Sequence, residues 1–562
     1  MANKVSLLYK DADKKLQLED RNIDFIKDLQ FDKILGVMTS ESSSINSERV
    51  IVSVLAELCK DVDDISYRYD ILQDFFGQPQ MFSDLKSAFS MMITIERERQ
   101  LSNRTRADVS SEYKLSNGIN ILLGYCEVCK KVGEVLKAHA SKYLSEGLNN
   151  LSEVVFDYVQ NENFYKLEKN LLELKKCTKG YIRLKLEARL DKCFKIKEAK
   201  LLDVDSNGFI SKILDRDEYI KEYFVRGLTK LIKVRRKKKG SYVIKDIDFI
   251  LEENGEEIKN KILSNLSYIL EAMITNISSF LRNISDEILF YEGAVKLMQK
   301  MKCLGLITSR AKIVPMEERI LMAEGLYDLS FALYLSDKGS LNPLERIVTN
   351  DVFVKEEDKI QIITGPNQGG KTTYIRAMGI LQVLAQAGIP VPALNVVISP
   401  VDRIFTHFPV EERPESDEGR LGEELGRMLT IVENATENSL VLINEAFAST
   451  NSKEGSKIAQ DILSAFAVIG TRCSFVTHLY ELAHRVDSIN KELEGLEVKS
   501  SRLISMAAQY EEGQNDFMLG SDGEIRKRTY RIIPGSPSKS SFAADIAAQF
   551  GIRYMDFTQK LS

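Results

Sequence analysis

The segment KIQIITGPNQGGKTTYIRAMGILQ constrains this chain more than any other. An apolar stretch runs into Gly365, four residues later come Gly370, Lys371 and Thr372, and the apolar positions that follow recur at helical spacing. Strand, glycine loop and helix in that order make a phosphate-binding loop. The glycines let successive backbone N–H groups turn inward around phosphate oxygens, and the helix N-terminus adds a favourable dipole. The expected nucleotide-binding residues are therefore Gly365, Pro366, Asn367, Gln368, Gly369, Gly370, Lys371, Thr372 and Thr373. Lys371 would reach the β and γ phosphates and Thr372 would ligate Mg²⁺, so ATP and Mg²⁺ are the expected cofactors.

From about residue 351, short apolar stretches (IQIITG, VVIS, SLVLINE, CSFVTH) alternate with helical ones, as in an α/β domain with a mainly parallel sheet. Such sheets present catalytic groups at the C-terminal ends of their strands. SLVLINE ends in Asn444 and Glu445, which makes Glu445 the candidate general base and puts Asn444, with Thr372, at the metal. A neutral amide where a carboxylate usually stands removes one negative charge, which predicts weaker Mg²⁺ binding or slower turnover. CSFVTH ends in His478, suited to sense the γ phosphate; His139, His407 and His484 offer no comparable arrangement.

Residues 1 to about 340 read as mostly helical, with one pattern of more than 40 residues (NKILSNLSYILEAMITNISSFLRNISDEILFYEGAVKLMQKM) suited to a lever or coiled-coil arm. A lysine-rich interval near 180–245 interrupts it, and SYVIKDIDF there suggests a short strand. Lys230, Lys233, Arg235, Arg236, Lys237, Lys238 and Lys239 would neutralise several phosphates if presented together; a solvated basic loop is the alternative. With 77 basic against 82 acidic residues the net charge is −5, so any nucleic-acid contact must come from such a local patch.

Seven cysteines without regular spacing, and no secretory leader, point to a reducing cytoplasm. Cys126 and Cys129 form a CxxC on a helical pattern with no second ligand pair, which reads as two helix cysteines rather than a zinc site. No stretch of about 18 apolar residues offers a membrane span.

The C-terminal half resembles the ATPase domain of the MutS family of DNA mismatch repair proteins, within the ABC-like ATPases. The residues that carry the resemblance are ITGPNQGGKTTYIRAMGILQVLAQAGIPVPA, then PVDRIFTHF, NATENSLVLINEAFAST, FVTHLYELAH and TYRIIPGSPSKSSFAADIAAQFGI, over about 340–555. ISYRYDILQDFFGQPQMFSDLKSAFSMMITIERERQ resembles the family's core segment. The resemblance implies an α+β multidomain chain: an all-α core and lever region at 1–340 with a reduced clamp near 180–245, then a P-loop ATPase domain at 341–562. It implies a homodimeric ATP-driven clamp on duplex, mismatched or branched DNA.

Departures from the family pattern add further expectations. The chain starts about where the core should start and stops at Ser562, which implies a short form without the mismatch-reading and connector domains and without an Smr domain. The Phe-Tyr-Glu at 290–292 lies inside a long helical pattern and is no mismatch wedge. Where the family has a serine reaching the neighbouring subunit's γ phosphate, this chain has Gly419, with Arg420 beside it as a possible substitute, while the resemblance keeps the family's glutamate as Glu424, and AFASTN replaces a glycine-rich turn. Two other readings stay open: a ribosome- or RNA-associated ATPase clamp, and a slowly hydrolysing nucleotide switch acting through a protein partner.

Overall fold

The computed structural model describes residues 5–14, 16, 23–40, 46–104, 111–140, 142–177, 183–190, 196–205, 235–237, 241–244, 247–355, 357–366, 368–409, 420–447, 450–496, 500–512, 518–519 and 525–535. The chain packs into two compact units, one of residues 1–6 and 78–285, the other of residues 7–77 and 286–562. Sequence texture changes near 340, whereas the packing places 7–77 and 286–340 with the α/β half.

The first unit contains helices Pro79–Arg104, Ser111–His139, Glu146–Gln160 and Glu162–Cys177, together with most of the 57-residue helix Ile247–Cys303. Leu85, Phe89, Leu122, Val132, Leu148 and Leu281 bury the helix faces that meet. The basic interval holds an antiparallel sheet of β1 (Arg183–Leu190), β2 (Ile196–Asp205), β3 (Arg235–Lys237) and β4 (Ser241–Ile244), in the order β1-β2-β4-β3. Only one strand is expected there from sequence; SYVIKDIDF supplies it as β4, and its end is helical from Ile247. The β1 signal is the strict alternation of Leu184, Leu186, Ala188 and Leu190 with charged residues.

The strands of the second unit are, in chain order, β5 (Lys312–Ile313), β6 (Leu321–Leu326), β7 (Asn350–Val354), β8 (Asp358–Thr364), β9 (Asn395–Ile398), β10 (Ile404–His407), β11 (Leu440–Asn444), β12 (Arg472–Val476), β13 (Arg502–Glu512), β14 (Met518–Leu519) and β15 (Ile525–Pro534). They form two sheets. The smaller has the order β5-β9-β6-β7, with the VVIS stretch as β9. The larger includes β8, which feeds the phosphate loop, and has the order β10-β11-β12-β8-β13-β15-β14, parallel from β10 to β13 and antiparallel beyond. Every residue of β11 and β12 is buried, as expected for parallel strands covered on both faces. Helices Arg420–Asn434 and Ser452–Ile469 cover one face through Met428, Ile431, Leu463 and Phe466. Among the described residues, no helix is long and apolar enough to cross a membrane.

Candidate functional site

The parallel register aligns the ends of β8, β11 and β12, so the phosphate loop, Asn444–Glu445 and His478 emerge at the same edge of the sheet. Gly365 has φ 146° and lies so close to β13 that an added Cβ would sit 2.6 Å from that of Ala508. Gly370 has φ 88° and is the N-cap of the loop helix Lys371–Gln386. Both are backbone conformations that L side chains avoid, which is why glycine stands at each.

Lys371 Nζ donates to the carbonyls of Gly365 at 2.9 Å and Pro366 at 2.7 Å. The ammonium is buried in its own loop, against carbonyls that a phosphate can replace. Tyr480, two residues past His478, donates its hydroxyl to the Gly365 carbonyl at 3.3 Å. Thr372 Oγ1 donates to Asn444 Oδ1 at 3.0 Å, so the two expected metal residues are in contact.

Glu445 follows β11 with φ 55°, and its amide donates to the Val476 carbonyl at 2.9 Å. Its carboxylate meets His478 Nε2 at 3.0 Å. That hydrogen bond outweighs partial burial and, with the charges of His478 and Lys371, holds the carboxyl below the usual glutamate range. Glu445 is therefore ionised at neutral pH, as a general base must be. Phe447 also has positive φ, 62°. Two non-glycine residues in this region within three positions cost on the order of 1–3 kcal/mol each.

Beside the loop lies a cavity of about 360 Å³ lined by Gln368 to Thr373, Glu445, Ile347, Val348, Asn350, Phe331 and Tyr530, among others. Its lining combines the polar loop with apolar and aromatic residues such as Ile347, Val348, Phe331 and Tyr530, which suits a phosphate tail joined to a flat ring. Tyr530 is half-exposed, with φ 57°, and Asn350 holds it in place by donating to its carbonyl at 3.1 Å and accepting from the Ile532 amide at 2.7 Å. Tyr530, Asn350 and Ile347 are absent from the sequence-based set, because nothing in the sequence brings β7, β15 and the loop together. Asp328, also at the cavity, caps helix Leu329–Asp337 through the Phe331 amide and accepts from Arg376 of the loop helix at 2.5 Å. Burial pushes its carboxyl up, and the Arg376 charge opposes that shift.

The donor set fits the groups that the sequence implies. The loop disfavours side chains at Gly365 by close packing and at Gly370 by its positive φ, and Lys371 rests on exchangeable carbonyls. Thr372 and Asn444 offer only neutral oxygens, and among the described residues no cluster of His, Cys, Asp and Glu could hold a metal alone. Mg²⁺ there would depend on phosphate oxygens and water for most of its ligands, its usual manner of binding.

Asn367 and Gly419 lie outside the described residues, as do Lys230, Lys233, Lys238 and Lys239. Arg235, Arg236 and Lys237 are β3 itself, and Arg420 opens helix Arg420–Asn434.

A family model described as MutS domain V matches residues 361–521, and one described as the MutS2 N-terminal domain matches residues 60–304. Both halves of the chain are therefore MutS-like. Endonuclease MutS2 of Caldanaerobacter subterraneus subsp. tengcongensis is 24% identical over 94% of this chain and 62% of its own length. MutS protein homolog 4 of Mus musculus is 23% identical over 82% of the chain and 50% of its own length. The DNA mismatch repair protein MutS of Chlorobium phaeovibrioides is 31% identical over 36% of the chain, which covers 25% of that relative. The chain thus spans between a quarter and somewhat under two thirds of these MutS-like relatives.

Proposed function

We propose that this MutS-like chain is an ATPase whose nucleotide cycle is coupled to DNA binding. The observation that carries the reading is the convergence, on one cavity, of Lys371, held by exchangeable loop carbonyls, with Glu445, whose carboxylate His478 contacts. Lys371 exchanges its loop carbonyls for the β and γ phosphate oxygens, and the loop amides and helix N-terminus hold the remaining charge. Thr372 and Asn444 would hold Mg²⁺, which would supply positive charge to offset that of the phosphates. Glu445, kept ionised by His478, orients water toward the γ phosphate, and His478 hydrogen-bonds to that phosphate. Tyr530 with Ile347 and Val348 receives the base.

The partner is DNA, bound by a homodimer. Residues 1–340 act as core and lever and 341–562 as the ATPase domain, with the basic segment from Lys230 to Lys239 contacting phosphates as a clamp tip. The names of the relatives, DNA mismatch repair protein and endonuclease, support nucleic acid as the target. The test measures ATP hydrolysis with and without branched and mispaired duplexes, and DNA affinity against salt. Replacing the basic residues from Lys230 to Lys239 with glutamine should weaken DNA binding and flatten its salt slope by about one unit for each phosphate no longer neutralised. Unchanged affinity and slope would overturn the clamp tip; absence of any ATP hydrolysis would overturn the enzyme reading.

One observation favours a second reading, a slow nucleotide switch. Thr372 meets an amide at Asn444, where a carboxylate would add a negative charge to the metal position. A turnover too slow to match DNA release, with ATP binding intact, would decide for the switch.

A further inference from the structure

The turn after Glu445 is held in a conformation its sequence does not favour. Phe447 has φ 62°, where glycine is at ease, yet its ring is fully buried in the apolar cluster under the sheet. Residues in this region are retained where the surroundings over-determine them, so the contacts that impose the turn matter. Two backbone amides anchor it. Glu445 N–H donates to the carbonyl of Val476, two residues before His478. Phe447 N–H donates to Glu424 Oε2 at 3.1 Å. Glu424 is 7% exposed and lies on helix Arg420–Asn434, whose Met428 and Ile431 pack into the same cluster as the Phe447 ring. A buried carboxylate needs hydrogen-bond donors, and an amide in a left-handed turn has no ladder partner, so the Glu424–Phe447 bond serves both groups.

We propose that Glu424 is a positioning residue for ATP hydrolysis: its carboxylate latches the Phe447 amide and so fixes the turn that aims Glu445 at His478. The proposal rests on the reading of this cavity as an ATPase site. A consequence is that any displacement of helix Arg420–Asn434 releases the latch and withdraws Glu445, with the phosphate loop untouched. The latch thus acts on the hydrolytic step and leaves nucleotide binding alone.

The test compares Glu424→Ala and Glu424→Gln, the second keeping a side-chain carbonyl that can accept from the Phe447 amide. Imidazole ¹⁵N NMR of His478, assigned with His478→Asn and recorded without nucleotide, reads the Glu445 contact. In Glu424→Ala the His478 signal should move in the direction that Glu445→Ala moves it. Single-turnover hydrolysis should fall on the order of 10- to 100-fold, the scale on which misplacing a positioned group acts, with the ATP dissociation constant changed less than about twofold. Glu424→Gln should recover both signals. An unmoved His478 signal in Glu424→Ala, or a glutamine variant as impaired as the alanine one, overturns the latch. Should Glu424→Ala fail to fold, Glu424→Asp, shorter by one methylene, decides by the same NMR signal and by hydrogen exchange at the Phe447 amide. Faster exchange with a moved His478 signal supports the latch; no change in either overturns it. A wild-type protein that hydrolyses no ATP would remove the ATPase reading, while the NMR arm would still decide whether Glu424 holds Glu445 on His478.

Discussion

In the first unit, Glu96, Arg99, Tyr125, Glu271 and Arg282 meet across three helices; in the second, Lys371, Thr372, Asn444, Glu445 and His478 meet across a loop and two strand ends. Arg282 reaches Glu96 at 2.9 Å and Arg99 reaches Glu271 at 3.2 Å, while Tyr125 donates to Glu96. These charges neutralise one another on partly wet helix faces, where each pair contributes at most about 1 kcal/mol. The strand-end group is arranged differently. Its lysine rests on carbonyls a phosphate can replace, its carboxylate is held below the usual range, and two neighbouring residues sit at positive φ. In the first arrangement the charges satisfy one another, and the second keeps binding capacity in reserve at some cost in stability.

That contrast breaks most directly at Lys371. Lys371→Ala removes two charge-assisted hydrogen bonds to phosphate, each worth about 1.5–3 kcal/mol, and should weaken ATP binding on the order of 10³-fold by calorimetry. Arg99→Ala, by contrast, should leave ATP affinity unchanged. If both variants lowered affinity equally, the separation of roles would be wrong. Glu445→Gln should keep ATP binding and slow single-turnover hydrolysis by roughly 10²- to 10⁴-fold, the range for a positioned general base. Hydrolysis at the wild-type rate would send the search for the base elsewhere.

A second comparison lies inside the second unit, between two histidines near the ends of parallel strands. His478 meets a carboxylate, whereas His407, at the end of β10, is buried and faces the charge of Arg427. Burial first, and Arg427 second, push His407 down to about 4. Between about pH 6.5 and 4 the unfolded chain therefore binds a proton that the folded chain refuses, so stability falls as pH falls across that window. The loss reaches about 3 kcal/mol at pH 4 for this group. His407→Gln should flatten that part of the stability curve in urea titrations at stepped pH; an unchanged slope would mean that His407 takes up its proton in the folded state.

Much of the site is legible in the sequence because its parts are local. GPNQGGKT declares the loop, and buried apolar runs ending in Asn444–Glu445 and two residues short of His478 declare strand ends. What the sequence conceals is what distant segments do together. Tyr530 and Asn350 reach the cavity only because β15 and β7 pass beside the loop, and neither carries a motif. Glu424 stands where the family resemblance keeps a glutamate, yet no pattern announces its bond to the Phe447 amide or that Phe447 will adopt φ 62°. In the helical half the long pattern before residue 303 is plain, yet β1 escapes notice although Leu184 to Leu190 alternate cleanly. The lysines around it make charge a stronger local signal than the period.

The smallest expected effect concerns Asn444, and it sharpens the contrast because it separates the reserve of charge from the geometry. Asn444→Asp keeps an oxygen for the Thr372 hydroxyl, 3.0 Å away in the native chain, and exchanges the amide nitrogen for a second oxygen. One added charge near a divalent ion contributes on the order of 1 kcal/mol or more in a wet site, so the ATP-dependent affinity for Mg²⁺ should rise about tenfold. The same charge next to Glu445 raises that residue's carboxyl, opposing the His478 hydrogen bond that lowers it. In the absence of metal the variant should therefore be slightly less stable than wild type at neutral pH, and with ATP and Mg²⁺ it should be more stable. Melting curves with and without the ligands give both signs. A variant whose Mg²⁺ affinity does not change would show that the amide is no handicap, and that the ligands around the phosphates already suffice for the metal.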